Sequence, residues 1–240
     1  MAVTPMVDSE AIRVSAILPI HNEAAVLRPV LGAIDSQSRR PEEVILVFDR
    51  CTDGSEEIAR GRGHVSLVVD YGNTGQSIQA GINRATNETI VLFDGNTLVP
   101  SNYVERLVAT WRATGADLVE WHGGLMLVTK SMLRRYGAFS TMALWTLEYF
   151  HRIKKSGGTV VPLKGPFVRL KPSPIRRNVQ YGLDYAVLSE RYGLAPFFRI
   201  GAKSGLIPDT VATVGTILGY ARYHRLLAAL GRVPAGLRRI

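Results

Sequence analysis

Three acidic residues stand where buried strands are predicted to end, a position from which a carboxylate can meet a ligand. They are Asp49, Asp70 and Asp94, and each closes a run of mostly apolar residues. In open α/β sheets the ligand crevice lies outside the carboxyl ends of the strands. One strand-end aspartate is usually a turn former or a helix cap, but three exceed what turn formation alone explains. The pattern therefore predicts a ligand site lined by carboxylates.

The elements that would position these acids alternate through the first hundred residues. Val14–Ile20 and Glu43–Asp49 are continuous apolar runs, typical of strands buried on both faces. The helical spacing between them predicts a helix with Pro29 near its first turn. Asp53 and Glu56 have the spacing of a capping box at the start of a short helix. Further strands are predicted at Val65–Asp70 and Thr89–Asp94, and helices at Gln76–Ala85 and Asn102–Ala113. Strands alternating with helices predict a mostly parallel, doubly wound sheet.

The alternation loosens beyond these elements. Asp117–Thr129 predicts a strand, a Gly-Gly turn and a second strand. A strand is predicted at Thr159–Leu163, and helices at Ser131–Tyr136, Trp145–Ser156, Arg177–Tyr192 and Asp209–Leu230. We therefore expect an α/β domain over residues 1–165 and a basic, helical C-terminal extension over residues 166–240.

The net charge of +9 is confined to the last third of the 240 residues. Residues 1–163 hold 16 Lys and Arg against 17 Asp and Glu, whereas residues 164–240 hold 13 against 3. This asymmetry predicts an anionic partner such as a nucleotide diphosphate or a phospholipid surface, with a solvated basic tail as the alternative. Nucleic acid is disfavoured because no recognised binding module accompanies the basic segment.

The remaining bulk features favour a cytoplasmic protein. Cys51 is the single cysteine and cannot form an internal disulfide, which fits a reducing compartment. No apolar stretch reaches the roughly 18–20 residues of a membrane-spanning helix, and the first residues lack the pattern of a secretory signal. Leucines interleaved with arginines near the C terminus leave two interpretations open, peripheral attachment to an anionic membrane and packing in a homodimer.

Four segments, in order, resemble family 2 glycosyltransferases. They are ILPIHNE (17–23), VFDRCTDGS (47–55), NTGQSIQAGINRATNETIVLFDGN (73–96) and GLMLVTKSMLRRYGAF (124–139). The resemblance implies a GT-A-like fold, with a Rossmann-like, mostly parallel central sheet flanked by helices and followed by the C-terminal helical extension. It also implies transfer of a sugar, with inversion, from a UDP- or GDP-sugar to an acceptor hydroxyl or a lipid phosphate.

The resemblance implies that several of these residues bind the donor nucleotide. The acid matching Asp49 accepts a hydrogen bond from the base, and the loop Pro19–Glu23 lies against base and ribose. Two purely structural interpretations stay open: a turn formed by Asp49 with Thr52, and capping of the next helix by Asn22 or Glu23. The implied donor-site residues are Pro19, His21, Glu23, Asp49, Gly75, Gln79, Asp94, Arg176 and Arg177. The two arginines are implied as partners of the diphosphate, with a solvated connector as the alternative for their segment.

Asp94-Gly95-Asn96 stands where the family has Asp-x-Asp, whose two carboxylates hold Mg²⁺ or Mn²⁺. The resemblance therefore implies Asp94 and Asn96 as metal ligands that stabilise the departing diphosphate. An amide oxygen at Asn96 still ligates a hard cation but brings no charge. We therefore expect weakened metal affinity, with Asp94 free to contact the ribose instead.

The acceptor hydroxyl needs a base, and the family's acidic pair at the start of a helix is replaced here by Trp145 and Thr146. Glu148 is the carboxylate left nearby. Glu120, with His122, and Asp184 are further candidates, and a structural role is the alternative for each. A lipid phosphate acceptor, already ionised, would need no base.

Two other functions compete with transfer. The departures from the family pattern fit a non-catalytic sugar-nucleotide-binding or scaffolding homologue. A nucleotidyltransferase on a similar fold would need a Gly-rich, basic signature after the first strand, which ILPIHNEAAVLRP lacks.

Overall fold

The computed structural model describes residues 12–171 and 175–193, within which the chain forms an α/β fold. The strands are β1 (Val14–Ile20), β2 (Glu43–Asp49), β3 (Val65–Val69), β4 (Thr89–Leu92), β5 (Thr97–Leu98), β6 (Leu118–His122), β7 (Leu125–Thr129), β8 (Val160–Pro162) and β9 (Val168–Arg169). The helices are α1 (Ala24–Asp35), α2 (Ser55–Ala59), α3 (Thr74–Arg84), α4 (Tyr103–Thr114), α5 (Lys130–Tyr136), α6 (Trp145–Lys155) and α7 (Ile175–Tyr192).

Seven strands form a central sheet in the order β3-β2-β1-β4-β7-β6-β8. β1, β2, β3 and β4 pair in parallel, β7 runs antiparallel to both of its neighbours, and β8 is parallel to β6. Every strand of this sheet except β7 therefore points the same way. As a result, the carboxyl ends of β1, β2, β4 and β6 meet at one edge, which we call the carboxyl edge.

Helices cover both faces of the sheet and bury a core on each. On one face, α1 and α4 pack onto β1 and β4 through residues such as Leu27, Leu31 and Tyr103, which are inaccessible to solvent. On the other face, α3, α5 and α6 pack through residues such as Ile78 and Tyr149. Both faces of β1 are buried, as its unbroken apolar run predicts. The predicted mostly parallel sheet between helical layers is confirmed.

The structure differs from the sequence-based expectations at three local points. α1 begins at Ala24, so Pro29 lies inside the helix rather than in its first turn. The expected capping box does not form: α2 begins after Gly54, whose positive φ of 78° suits glycine, and Asp53 accepts instead from the N–H of Ser55, the first residue of the helix, at 3.2 Å. β3 and β4 end before Asp70 and Asp94, which therefore lie in the loops of the carboxyl edge.

A second, two-stranded sheet was not predicted, because its strands are only two residues long. β5 pairs antiparallel with β9, with Thr97 opposite Arg169 and Leu98 opposite Val168. The backbone N–H of Leu170 extends the pairing by donating to the carbonyl of Asn96 at 2.8 Å. This small sheet brings the start of the basic segment to the carboxyl edge.

Helix α7 packs against α6, so part of the expected C-terminal extension contacts the preceding domain. Asp184 accepts a hydrogen bond from the backbone N–H of Leu144 at 3.1 Å, and Tyr192 donates to Glu148 at 3.0 Å. The division at residue 165 stays a prediction, and the helix predicted at Asp209–Leu230 lies outside the described residues. Among the described helices, none combines the length and apolar content needed to cross a membrane.

Two glycines on helices provide a matched test of the packing. A Cβ on Gly81 of α3 would lie 2.6 Å from Cγ2 of Ile17 and 2.9 Å from Cγ2 of Val47, whereas a Cβ on Gly32 of α1 meets no described atom within 4 Å. We expect Gly81→Ala to lower the free energy of unfolding by about 1–3 kcal/mol through overpacking. Gly32→Ala should raise it by up to about 1 kcal/mol through helix propensity. Urea denaturation measures both, and a stabilised Gly81→Ala protein would contradict the packing.

Candidate functional site

The loop after β1 is held in place by the loop after β2. Asn22 has a positive φ of 54°, which asparagine tolerates, and its Oδ1 accepts a hydrogen bond from the backbone N–H of Thr52 at 2.7 Å. The N–H of Glu23 donates to Oγ of Ser55 at 3.0 Å, and the N–H of Ala24 donates to Oδ2 of Asp53 at 2.9 Å. The start of α1 is thus capped from the second loop, and Glu23, its N-cap residue, makes no side-chain cap bond.

Two expected donor-site residues lie on the β1 side of the carboxyl edge. His21 is exposed, and its Nδ1 lies 2.7 Å from the carbonyl oxygen of Asp49. Pro19 is half-buried, and its carbonyl oxygen would lie 3.0 Å from a Cβ on Gly95. The ends of β1, β2 and β4 therefore meet within contact distance, as the topology requires.

Asp49 is buried, and its carboxylate accepts four hydrogen bonds. Oδ1 accepts from the backbone N–H groups of Tyr71 and Gly72 at 2.9 and 2.8 Å. Oδ2 accepts from the N–H of Asn73 at 3.0 Å and from Oγ of Ser77 at 2.7 Å. A carboxylate offers about four lone-pair sites, so these donors occupy the group. The expected turn with Thr52 is absent from its contacts, because Thr52 donates to Asn22 instead.

The hydrogen bonds also decide the charge state of Asp49. Burial by itself raises the pKa of this carboxyl, but the bonds from Ser77, Gly72, Asn73 and Tyr71 outweigh burial and lower the pKa below its ordinary value of 3.8. Asp49 is therefore an ionised group at neutral pH. Its charge fixes the shape of the loop Tyr71–Asn73.

That loop leads directly into α3, which carries two more expected donor-site residues. Asn73 caps the helix by accepting from the N–H of Gln76 at 3.1 Å. Gly75 is buried, and a Cβ there would lie 2.5 Å from the carbonyl oxygen of Ser140, so this position requires glycine for packing. Gln79 donates to Asn83 at 2.9 Å, one turn further from the helix start. The structure therefore gives both residues contacts within the fold.

Asp94, Gly95 and Asn96 form a tight turn against the end of β1. Oδ1 of Asp94 accepts the N–H of Asn96 at 3.2 Å. Nδ2 of Asn96 donates to Oε1 of Glu23 at 3.3 Å. A Cβ on Gly95 would lie 3.2 Å from Cγ of Glu23, so glycine permits the close approach. The turn thus joins Asp94 and Glu23 in one polar cluster.

Cationic side chains from the C-terminal third reach the same cluster. The Nη2 atom of Arg169 lies 3.9 Å from Oδ2 of Asp94. Nζ of Lys171 donates to Oε2 of Glu23 at 3.1 Å and to the carbonyl oxygen of Asn22 at 2.7 Å.

The two expected donor-site arginines lie on α7. Arg177 donates to Oγ1 of Thr74 at 3.4 Å, at the start of α3. Arg176 also lies in α7, and its side chain falls outside what the structure describes.

The residues implied as metal ligands do not by themselves form a complete protein site for Mg²⁺ or Mn²⁺. Asp94 is the one carboxylate of the turn, and its second oxygen faces the Arg169 guanidinium, which repels a cation. The neighbouring carboxylate, Glu23, already accepts from Lys171 and Asn96. Within residues 12–171 and 175–193, no group of three or more His, Cys, Asp or Glu side chains could hold a metal. Mg²⁺ is often held by one or two carboxylates together with substrate phosphates, so Asp94 is the side chain of this turn that would contact a cation carried by a diphosphate.

Glu148, an expected catalytic base, is buried in a polar network. Its carboxylate is paired with Arg152 one helical turn later, both Nε and Nη2 of Arg152 donating to it, and it also accepts from Tyr192. Nη1 of Arg152 donates to the carbonyl oxygens of Tyr136 and Ala138. The network joins α5, α6 and α7. The i, i+4 spacing of Glu148 and Arg152 was the sequence signal for this structural pairing.

Asp184, a second expected base, is likewise engaged in the packing of α7 on α6. Its side chain is buried, with Oδ2 accepting from the N–H of Leu144, the N-cap residue of α6. Oδ1 accepts from Nε2 of Gln180 at 2.8 Å. A carboxylate at a helix N terminus is also favoured by the helix dipole. Asp184 therefore stabilises the position of α6.

Glu120, the third expected base, differs from the other two. It is half-buried near the carboxyl end of β6, and its Oε1 accepts the N–H of Gly123 at 3.1 Å. Burial raises the pKa of Glu120 above its ordinary value of 4.5, against the opposing effects of the Gly123 N–H and the Lys154 charge. A carboxylate with a raised pKa is a stronger base than an ordinary one.

Several residues of the carboxyl edge were not singled out from the sequence. Ser77 lies within the Gly-rich segment and Lys171 lies within the basic segment, but the sequence does not show which residue each of them contacts. Lys171 and Glu23 are 148 residues apart, so their pairing depends on the β5–β9 sheet. Asp53 was predicted to open α2 with Glu56, and its Oδ1 does accept from the N–H of Ser55 at 3.2 Å, but its Oδ2 also caps α1.

Known structures share this fold. The mannosyltransferase PcManGT from Pyrobaculum calidifontis, solved with GDP-Man and Mn²⁺, aligns with a TM-score of 0.65 at 19% identity, covering 91% of this chain and 79% of its own. Glucosyl-3-phosphoglycerate synthase from Mycobacterium tuberculosis, solved with Mn²⁺ and UDP-Glc, aligns with a TM-score of 0.66 at 15% identity, covering 76% of this chain and 80% of its own. These likenesses confirm the GT-A fold.

Sequence comparison extends the likeness to the family. The glycosyltransferase AglE from Haloferax volcanii is 29% identical over 143 residues, which are 55% of this chain and 46% of AglE. The chain thus spans less than half the length of this curated relative. The model of the family described as glycosyl transferase family 2 matches residues 15–155, more than half of the chain. The protein therefore belongs to glycosyl transferase family 2.

Proposed function

We propose that this protein transfers a sugar from a UDP- or GDP-sugar to an acceptor. The observation that carries the proposal is the meeting of the β1, β2, β4 and β6 ends, with the loop Tyr71–Asn73 fixed by Asp49. Family membership and the GDP-Man and UDP-Glc complexes of the two structural relatives support it. These two donors differ in base and sugar, so the proposal includes both nucleotides.

In this proposal the donor base lies between the β1 loop and the loop Tyr71–Asn73. Pro19 and His21 contribute one side, and the backbone of residues 71–73 contributes the other. Asp49 acts on the base through the loop that it holds, because its oxygens are already engaged by four donors. Gly75 contributes to the site by allowing the start of α3 to pack on the backbone of Ser140, and Gln79 lies one turn further along the same helix.

The reaction is a displacement at the anomeric carbon, with inversion as an implication of the family resemblance. The acceptor oxygen forms the new bond while the bond to the β-phosphate oxygen breaks, and the nucleoside diphosphate leaves with that electron pair. Glu120 takes the proton when the acceptor is a hydroxyl. Glu148 and Asp184 are engaged with Arg152 and with the start of α6, so we assign them positioning roles. A phosphate acceptor needs no proton transfer.

A second candidate is a homologue that binds sugar nucleotides without transferring the sugar. The observation that favours it is the engagement of Glu148 and Asp184 within the fold, together with Trp145 and Thr146 at the start of α6. Thermal shift with a panel of UDP- and GDP-sugars tests binding, because a ligand of the native state raises stability. Release of UDP or GDP from the stabilising donor, with water or an added acceptor, then separates a transferase from a binding protein.

Asp49→Asn tests the role of the carboxylate in shaping the donor loop. The amide supplies one acceptor oxygen and leaves at least one N–H of the loop without a partner. We expect the free energy of unfolding to fall by about 1–3 kcal/mol, together with weaker binding of UDP or GDP in calorimetry. Asp70→Asn is the control, since Asp70 is exposed and pairs with Arg50, and it should change stability by less than about 0.5 kcal/mol.

The same variant predicts a pH dependence. Because folding lowers the pKa of Asp49, its contribution to stability is present above its ordinary value of 3.8 and is lost as the pH falls through the lower folded value. The stability difference between wild type and Asp49→Asn should therefore be constant near neutral pH and shrink below pH 3.8. A difference that grows on acidification would contradict the assignment.

Glu120→Gln tests the proposed base. We expect turnover with a hydroxyl acceptor, or hydrolysis of the donor by water, to fall by about 100-fold or more, while donor affinity stays within about twofold. The acidic limb of the wild-type rate profile should lie above pH 4.5, because burial raises the pKa of Glu120. Unchanged turnover in a folded Glu120→Gln variant would remove Glu120 from the mechanism.

Glu148→Gln separates catalysis from folding. Losing this charge leaves Arg152 half-buried without its ion pair, so we expect a loss of stability of about 3 kcal/mol.

A further inference from the structure

Asn73 is the residue at which the loop held by Asp49 meets a second loop, residues 137–144, which links α5 to α6. The backbone N–H of Asn73 donates to Asp49 at 3.0 Å, and its Oδ1 caps α3. Its Nδ2 donates to the carbonyl oxygen of Thr141 at 2.7 Å. Because the amide oxygen and the amide nitrogen each have a partner, this one side chain joins the donor loop to the α5–α6 loop.

The α5–α6 loop brings Trp145 to the turn between β6 and β7. Its last residue, Leu144, is the N-cap residue of α6 and donates its N–H to Asp184 at 3.1 Å. The Trp145 ring is buried against Phe139, with ring centroids 4.8 Å apart. A Cβ on Gly124 would lie 3.4 Å from Cζ2 of Trp145. The indole therefore borders the β6–β7 turn, and its position depends on the loop that Asn73 holds.

The same turn is bound by Glu120, the proposed base. Its Oε1 accepts the N–H of Gly123 at 3.1 Å, one residue before the glycine that the indole borders. Glu120 and Leu118 are two residues apart on β6, so both face the same side of the sheet. Leu118 belongs to the core that also contains Trp145. Contiguous contacts thus run from the donor loop, through the start of α6, to the turn that holds the base.

We propose that Asn73 and Trp145 are positioning residues, which couple binding of the donor nucleotide to the placement of Glu120. This inference rests on the proposed function, in which the donor base contacts the loop Tyr71–Asn73 and Glu120 takes the proton of the acceptor. A nucleotide that binds the ordered loop more tightly than the open loop shifts the population towards the ordered one. Packed side chains and hydrogen bonds carry such coupling between sites. The acceptor side of the site is therefore completed after the donor has bound.

Hydrogen–deuterium exchange on the full chain tests the coupling, with UDP and GDP as the probes. We expect the nucleotide that binds to slow exchange at residues 71–77, and also in the two remote segments, residues 139–146 and 120–126. Asn73→Ser keeps an oxygen that caps α3 but loses the donor to Thr141. In this variant the slowing should persist at residues 71–77 and be lost in both remote segments.

Two further variants separate the Asn73 amide from the fold. Asn73→Asp keeps the shape of the side chain and the capping oxygen, but it places a second acceptor where Nδ2 now donates. It should therefore reproduce the exchange pattern of Asn73→Ser. Asn83→Ser is the matched control, because Asn83 is exposed on the same helix and bonds Gln79 within that helix. Its exchange pattern should equal that of wild type, and thermal unfolding shows that each variant keeps the fold.

Release of UDP or GDP from UDP-glucose or GDP-mannose by water tests the second positioning residue. Trp145→Leu removes the ring that borders the turn, so we expect turnover to fall by about tenfold while the KM for the donor stays within about twofold. Trp145→Phe keeps an aromatic ring against Phe139 and should recover part of the loss. In a Glu120→Gln background, Trp145→Leu should have no further effect on turnover, because the indole acts through Glu120.

The outcomes distinguish this proposal from the proposed function. Wild-type slowing confined to residues 71–77 would overturn the coupling and leave the proposed function intact. Equal patterns in wild type and both Asn73 variants would exclude the amide, and unchanged turnover in a folded Trp145→Leu protein would exclude the indole. Failure of every probe to bind would overturn both proposals. Nucleotide binding without any turnover in wild type would overturn sugar transfer, while the exchange pattern would still decide the coupling.

Discussion

The carboxylate of Asp49 stands where β2 ends, and four hydrogen bonds converge on it from the loop after β3 and from α3. A buried charge is costly unless donors surround it, so the three consecutive N–H groups of residues 71–73 must turn towards it. That turn sets where α3 begins, and α3 in turn packs Gly75 on the carbonyl oxygen of Ser140 and Gly81 on β1 and β2. The carboxyl edge of the sheet thus depends on one ionised side chain that points inward.

Several other acids that the sequence analysis singled out are paired with cationic side chains. Glu23 is matched by Lys171, Asp94 faces Arg169, and Glu148 is held by Arg152. Glu120 differs, because burial outweighs the donors near it and raises the pKa of the group. Acids that look equivalent in the sequence therefore have different roles because their surroundings differ. Some are structural anchors, some form a cation-paired cluster, and one is a candidate base.

The departures from the family pattern form a consistent set. Asn96, in place of an acid, donates to Glu23, and the lysine that pairs with Glu23 comes from the segment that β9 delivers. The turn therefore carries an amide in place of a carboxylate at a position close to two cationic side chains. At the start of α6, where Trp145 and Thr146 replace acids, Trp145 is buried against Phe139 instead of facing an acceptor. Asn96 and Trp145 each make a local contact that an acid would not make.

The sequence by itself determined the strands and helices of the first hundred residues other than β5, the parallel sheet and the family motifs. These features are local: apolar runs, helical periodicity and short signatures persist whatever the rest of the chain does. Only the tertiary structure decided that Asp53 also caps α1, that Asp49 holds a loop more than 20 residues away, and that Lys171 meets Glu23 across 148 residues. Such pairings leave no periodic trace, because they depend on the packing that brings distant strand ends to one edge.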